Sequence, residues 1–239
     1  MTQAVTESGE SLLRAGVREL GVAEDGVPAM LLHGQLLAER NQVMNLTAIQ
    51  SEADMIRLHF LDSCALLTLF PFRGKSLLDV GSGAGFPGLP LKMAEPSVRL
   101  TLLDAQRKRV DFLRDVCRET VLADVECVHA RAEEYAQTRR ETFDMVISRA
   151  VASLPVLAEL CLPLARPGGH MLAMKSVHCE EEVQQAEHAL SVLGGAVERI
   201  ADYRVPGTEV VHRLLVIKKT GKTPPRYPRP FGQIKKKPL

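Results

Sequence analysis

The sequence predicts an α/β fold: a mostly parallel sheet preceded by a helical extension. Three observations carry that expectation. Up to about residue 74, apolar residues recur at helical spacing. From Ser76 onward, short apolar runs alternate with helical stretches, the pattern of parallel βαβ units. The last two runs lie too close together for a helix to cross between them. A chain of 239 residues suits one large domain with a small extension. With no Trp and 4% aromatics, the core has to be built from Leu, Val, Ala and Met.

In chain order, Ser8-Gly9-Glu10-Ser11 precedes Leu12, Leu13, Val17 and Leu20, an apolar stripe on a first helix. A second helix over 27–44 carries Met30, Leu31, Leu37 and Val43, with a polar break at Asn41 to Asn45. Asn45 equally suits a helix C-cap. A third helix carries Met55, Ile56, Phe60, Leu61, Leu66 and Leu67 and ends at Pro71 and Gly74. Strands are predicted over 77–80, 99–103, 125–128, 145–148, 170–174, 197–204 and 211–218, with helices between the first six. Only residues 205–210, including Pro206-Gly207, separate the last two strands, so these should pair antiparallel. Such a Rossmann-like, seven-stranded, mostly parallel sheet with an antiparallel last strand is that of the class I S-adenosylmethionine (SAM)-dependent methyltransferases. The expected divisions are a helical extension over 1–74, a cofactor-binding domain over 75–219 and a basic, Pro-rich arm over 220–239.

Bulk chemistry removes several classes. No apolar run reaches the roughly 18 residues that span a bilayer, and residues 1–10 lack the basic and apolar regions of a secretory signal. Five cysteines with no Cys-x-x-Cys pair argue against a disulfide framework and a zinc site, so free thiols in a reducing cytoplasm are expected. The net charge of +1 hides an asymmetry. Lys218, Lys219, Lys222, Arg226, Arg229, Lys235, Lys236 and Lys237 place eight positive charges after residue 217 with no acid. That leaves 22 basic against 29 acidic residues, −7, for the rest.

The strongest local signal is Leu77-Leu78-Asp79-Val80-Gly81-Ser82-Gly83-Ala84-Gly85-Phe86-Pro87-Gly88, an apolar strand running into a glycine-rich turn and a helix opened by Pro87. A plain strand–turn–helix needs fewer glycines. A dinucleotide site is the sharper rival: Gly83 to Gly88 fits G-x-G-x-x-G, with Asp104 19 residues past Gly85. Asp79 favours SAM, because a carboxylate there suits the cationic amino group of methionine and repels a pyrophosphate. Asp104, ending the second strand, is placed either to accept hydrogen bonds from ribose hydroxyls or to cap the next helix. Arg131-Ala132-Glu133-Glu134 follows the third strand, where backbone N–H groups and a carboxylate can read an adenine edge; alone it is an acidic helix start.

Together with Asn45-Leu46-Thr47-Ala48-Ile49, His59-Phe60-Leu61-Asp62-Ser63 and Ser148-Arg149-Ala150, these residues resemble the bacterial 16S rRNA guanine-N7 methyltransferase family, also called glucose-inhibited division protein B. The resemblance runs from about Asn41 to Leu239 and includes Tyr227-Pro228-Arg229 and Pro238-Leu239 in the tail. It implies methylation of N7 of guanine 527 in small-subunit rRNA, with SAM as cofactor and S-adenosylhomocysteine (SAH) as product. Carried over by motif, Gly81 and Phe86 line SAM, Ala132 and Glu133 contact adenine, and Arg149 sits beside the methionine and the target base. Lys175-Ser176 departs from the Lys-Gly of many members.

The residues agree with that chemistry. N7 of neutral guanine carries an exposed lone pair, so orientation is needed and a general base is not. The Asn/Asp-Pro-Pro-Tyr/Phe element typical of exocyclic-amine methylation is absent from the fourth strand end, and Cys161 sits in an apolar helical context unsuited to a nucleophile. Arg149 is the expected positioning residue outside the cofactor motifs; an ordinary strand-end salt bridge is its bland alternative. His59 and Asp62, one helical turn apart, are read as a pair tying the extension to the catalytic domain. The cofactor set is therefore Asp79, Gly81, Gly83, Gly85, Phe86, Asp104, Ala132, Glu133 and Arg149, with no metal expected.

Lys222, Arg226, Arg229, Lys235, Lys236 and Lys237, on an extended arm, are expected to grip phosphate, with Tyr227 and Phe231 spaced to stack on bases. A solubility tail is the alternative. The expected partner is 16S rRNA or the small subunit, without DNA or membrane, and the chain should be a cytoplasmic monomer. A SAM methyltransferase of a protein or small molecule, an NAD-dependent dehydrogenase and a non-catalytic ribosome-binding factor remain the competing readings.

Overall fold

The computed structural model describes residues 7–149 and 151–239; Ala150 of the Ser-Arg-Ala element and residues 1–6 lie outside the described residues. Helix α1 (Glu7–Glu19) buries Leu13 and Val17. Helix α2 (Val27–Met44) has Pro28 in its first turn, where a missing N–H costs nothing. It runs through Asn41 and stops at Asn45, whose left-handed backbone (φ 51°, ψ 52°) caps it. The polar break is thus a single residue. Asn41 clamps the following turn instead: its Nδ2 donates to the Thr47 carbonyl at 3.0 Å and its Oδ1 accepts from the Thr47 N–H at 2.9 Å. The third helical segment comprises α3 (Glu52–Met55), a π-helical stretch Ile56–Leu61 and α4 (Asp62–Leu69).

Seven strands follow: β1 (Ser76–Val80), β2 (Arg99–Asp104), β3 (Val125–His129), β4 (Phe143–Arg149), β5 (Ala165–Ser176), β6 (Gly195–Arg204) and β7 (Val211–Lys219). Their order is β3-β2-β1-β4-β5-β7-β6. The first five are parallel and β7 runs antiparallel to both its neighbours. The hairpin therefore folds back so that its second strand takes the inner place. Side chains explain why. Leu214, Leu215, Val216 and Ile217 are wholly buried, so β7 is apolar on both faces. Strand β6 carries Glu198, Arg199, Asp202 and Arg204 and leaves Val197 and Ile200 exposed, which suits a sheet edge.

Helices α5 (Gly88–Ala94), α6 (Arg107–Glu119), α7 (Ala132–Tyr135), α8 (Leu154–Cys161) and α9 (Glu180–Leu193) fill the crossovers. One buried cluster joins Leu13, Met30 and Phe60 of the first helices to Leu77, Leu100 and Val216 of the sheet. The extension is packed into the sheet's own core. Strand order reverses between β1 and β4, which opens a crevice at their carboxyl ends.

The chain after β7 differs from the extended arm expected. It folds back over α8 and ends in α10 (Phe231–Lys236), with Tyr227 and Ile234 buried. Glu159, fully buried on the apolar helix α8, supplies the reason, because a buried carboxylate requires a cation. Arg229 meets it twice, Nε to Oε1 at 2.8 Å and Nη2 to Oε2 at 2.6 Å. Arg140 donates to the carbonyls of Thr223, Pro224 and Tyr227 at 2.7–2.9 Å. Lys219 is buried as well and donates to the Leu193 carbonyl at 2.8 Å. Part of the basic excess is thus structural.

Candidate active site

Three connected cavities occupy the crevice. The first, about 490 Å³, is lined by the glycine turn (Gly81, Ser82, Gly83, Ala84 and Phe86) with Asp104, Thr47, His59 and Arg149. The second is a slot of about 150 Å³ between Val80, Gly81, Leu103, Ala132, Glu133 and Phe231. It opens to the first through Gly81, Ala105 and Val151, which line both. The third, about 400 Å³, lies beyond β4 and β5 and is lined by Leu58, Asp62, Met174, Lys175, Ser176 and His212 among others. His59 and Arg149 line both the first and the third.

The turn is built from backbone that side chains would obstruct. Gly81 has φ +73°, and a Cβ on it would meet Val151 Cγ2 at 2.5 Å. Gly85 (φ +98°) is needed for packing: its Cβ would strike Leu89 Cδ1 at 2.4 Å, and it does not itself line the cavity. Asp104 accepts from the Gly83 N–H at 3.0 Å and the Gln106 N–H at 2.8 Å, so it braces the turn and caps the entry to α6 at once. Oδ2 also faces the Arg109 guanidinium at 3.5 Å, and both Asp104 and Arg109 line the cavity.

Asp79 lies behind the turn. It is wholly buried, and Oδ2 accepts from the Gly88 N–H at 2.9 Å while Oδ1 has no partner among the described residues. Burial pushes its pKa from 3.8 up to about 7. Sequence reasoning put Asp79 against the ligand; the structure puts it under the start of α5.

Arg149 is the centre of a buried network. Its Nη1 donates to the Leu58 carbonyl at 3.0 Å and to Asp62 Oδ2 at 3.2 Å; Nη2 lies 3.0 Å from His59 Nδ1. A guanidinium only donates, so His59 Nδ1 accepts and its Nε2–H donates to Thr47 Oγ1 at 2.9 Å. Burial, reinforced by the Arg149 charge, drives the His59 pKa down to about 3, which holds the ring neutral. The ring stacks on Phe86 at 4.4 Å between centroids. Asp62, 1% exposed, also accepts from Tyr203 Oη at 2.9 Å and from His212 Nδ1 at 2.7 Å. That bond to Asp62 raises the His212 pKa. His59 and Asp62, read as tying the helical extension to the catalytic domain, make that tie through Arg149 of β4 and, for Asp62, Tyr203 and His212, and not through each other. The wide π-turn presents the Leu58 carbonyl to that guanidinium. Arg149 thus makes the strand-end ion pair and also lines two of the cavities.

Sequence reasoning missed Tyr203, His212 and Thr47, which join the Arg149 network, and gave Phe231 to RNA bases, whereas Phe231 lines the slot beside Ala132 and Glu133. Tyr203 and His212 are register partners across β6 and β7, a pairing set by topology alone. Thr47 lies inside the Asn45–Ile49 run that carried the resemblance, which was the available signal. Of the basic residues assigned to RNA, Lys222, Arg226, Lys235, Lys236 and Lys237 are exposed, whereas Arg229 is committed to Glu159. Tyr227 is buried, with Arg226 and Arg229 over its ring at 5.0 and 5.9 Å, so it is not free to stack on a base.

Residues 27–210 match the family model for rRNA small subunit methyltransferase G. The chain belongs to the GidB family of rRNA small subunit methyltransferase G. The family member of that name from Alkaliphilus oremlandii is 43% identical over 235 residues, covering 96% of this chain and 98% of its own. The one from Desulfitobacterium hafniense is 46% identical over 218 residues, covering 90% of each chain. Among solved structures, the pyocyanin biosynthetic protein PhzM aligns with a TM-score of 0.54 at 20% identity, over 71% of this chain and 57% of its own. A precorrin-6y C5,15-methyltransferase from Geobacter metallireducens gives 0.50 at 16% identity, over 74% and 92%. This likeness shows the class I methyltransferase fold.

Proposed function

We propose that this GidB-family chain transfers a methyl group from SAM to N7 of a guanine in 16S rRNA, guanine 527 by family resemblance, acting as a cytoplasmic monomer. The observation that carries the reading is that Arg149 and His59 line both the glycine-turn cavity and the cavity beyond β5. Reactants held in two adjoining cavities that share these residues lie next to each other, and proximity is what an in-line displacement requires.

The site fits the cofactor. Among the described residues, a Cβ on Gly83 would meet only Gly81 O, at 3.9 Å, so bare backbone is left for a ligand in the cavity that Gly83 lines. Asp104 offers acceptors for ribose hydroxyls. The slot at Ala132 and Glu133 offers apolar walls for adenine. When bound, SAM supplies an electrophilic methyl on a cationic sulfur. The chain's own groups orient and do not abstract a proton: His59 Nδ1 is occupied by Arg149, Asp62 by three donors, and a guanidinium offers no acceptor. Neutral guanine N7 asks for nothing more. Exposed Lys222, Arg226, Lys235, Lys236 and Lys237 supply phosphate contacts, with Arg229 as their structural anchor.

Isothermal titration with SAH, with NADH as control, followed by methyl transfer to 30S subunits and nucleoside analysis, tests the reading. SAH binding alone, with 7-methylguanosine formed, is the expected result. Binding of NADH, or transfer to protein in place of rRNA, would overturn it.

A further inference from the structure

Phe231 reaches the cofactor crevice from the opposite end of the chain. It is the first residue of α10, and its side chain forms one wall of the slot that also contains Gly81, Leu103, Ala132 and Glu133. Arg131 covers the ring, with its guanidinium carbon 4.8 Å from the centroid, and the same Arg131 donates through Nε to Glu133 Oε1 at 2.8 Å. Phe231 and Glu133 are therefore held by one side chain.

The ring is fixed from both sides. Two residues before it, Arg229 grips buried Glu159 by two side-chain bonds, and its backbone N–H donates to the same carboxylate at 2.9 Å. Three residues after it, on the same helix face, Ile234 is fully buried in the cluster that includes Leu157 and Leu160 of α8. Arg140 ties down three carbonyls of the approach. A residue that merely plugged a core would sit inside that cluster. Phe231 packs against the outside of the cluster and stays half-buried, lining a mostly apolar slot that Arg131 and Glu133 also border.

We propose that Phe231 is a cofactor-positioning residue: its ring packs against the adenine of the bound cofactor, and residues 223–234 exist in part to deliver it. This rests on the SAM reading of the glycine turn. A further consequence concerns α10 itself, whose exposed Lys235 and Lys236 follow Phe231 within about one turn. One short helix thus carries both the adenine wall and phosphate-binding charge.

The chain has no Trp, so Phe231→Trp places a single tryptophan, excited apart from the three tyrosines, at the slot. Titration of that full-length variant with SAH and with adenosine should give a saturable emission change, and methionine should give none. Calorimetry of Phe231→Leu, which keeps apolar bulk and loses the aromatic face, should show SAH bound roughly tenfold more weakly with thermal unfolding near wild type, the range expected for one base–aromatic stack. Wild-type SAH binding together with unchanged affinity in Phe231→Leu and flat emission in Phe231→Trp would overturn the assignment while leaving the SAM reading standing. Failure of the wild-type chain to bind SAH would overturn both.

Discussion

At the scale of single residues, the site depends on groups whose charge state is set by their surroundings. Arg149 is held by a carbonyl, a carboxylate and an imidazole, so its guanidinium has one orientation. Arg149→Ala should cut methyl transfer about 10²-fold, the size of losing one preorganised electrostatic group, while the folded state survives, because Asp62 keeps Tyr203 and His212. Single-turnover rates beside thermal melts check this; equal turnover would remove Arg149 from the chemistry. Asp79 makes a pH prediction. Its folded pKa of about 7 lies above its ordinary 3.8, so its contribution to stability is complete at the acid end and is lost as pH rises through 7. The loss is on the order of a few kcal/mol. Asp79→Asn should remove that loss, so the stability of the variant relative to wild type should rise from pH 4 to pH 7 in denaturant melts; a difference independent of pH would mean that the Asp79 carboxyl is ionised throughout.

Among elements, the π-turn and the C-terminal segment were the parts least readable in advance. The apolar spacing of residues 52–69 specified a helix, and nothing in it marked the one wide turn that offers the Leu58 carbonyl to Arg149. The segment after β7 has few apolar residues, and its order comes from Glu159, a partner 70 positions upstream. Arg229→Ala leaves that carboxylate buried and unpaired and should destabilise the fold by about 3–5 kcal/mol, read by chemical denaturation. Replacing Lys235, Lys236 and Lys237 together by Ala should leave stability within about 0.5 kcal/mol, since all three are exposed. It should also lower the log–log salt slope of RNA binding by up to about 0.7–0.9 per lost phosphate contact. A slope equal to wild type would make these lysines bystanders.

For the whole molecule, the order β3-β2-β1-β4-β5-β7-β6 turns a list of motifs into one site. Gly81, Gly83, Phe86, Asp104, Ala132, Glu133 and Arg149 come from separate stretches, and all line the connected cavities at the carboxyl ends of the parallel strands. The sequence by itself determined the seven strands, the short hairpin, the helical extension and the glycine turn. Each of these is written in local pattern: period, apolar run length, and residues suited to positive φ. Only the tertiary structure decided that β7 lies inside β6, that His59 and Asp62 serve Arg149, that Tyr203 and His212 join them, that Asp79 hides behind the turn, and that the tail brings Phe231 to the slot. β7 takes the inner place because its side chains need cover on both faces; for Arg149 and its partners the reason is charge. A buried charge is satisfied by whatever donor or acceptor the packing brings within hydrogen-bond distance. Asp62 draws Tyr203 and His212 from 141 and 150 positions away, separations that carry no periodic signal.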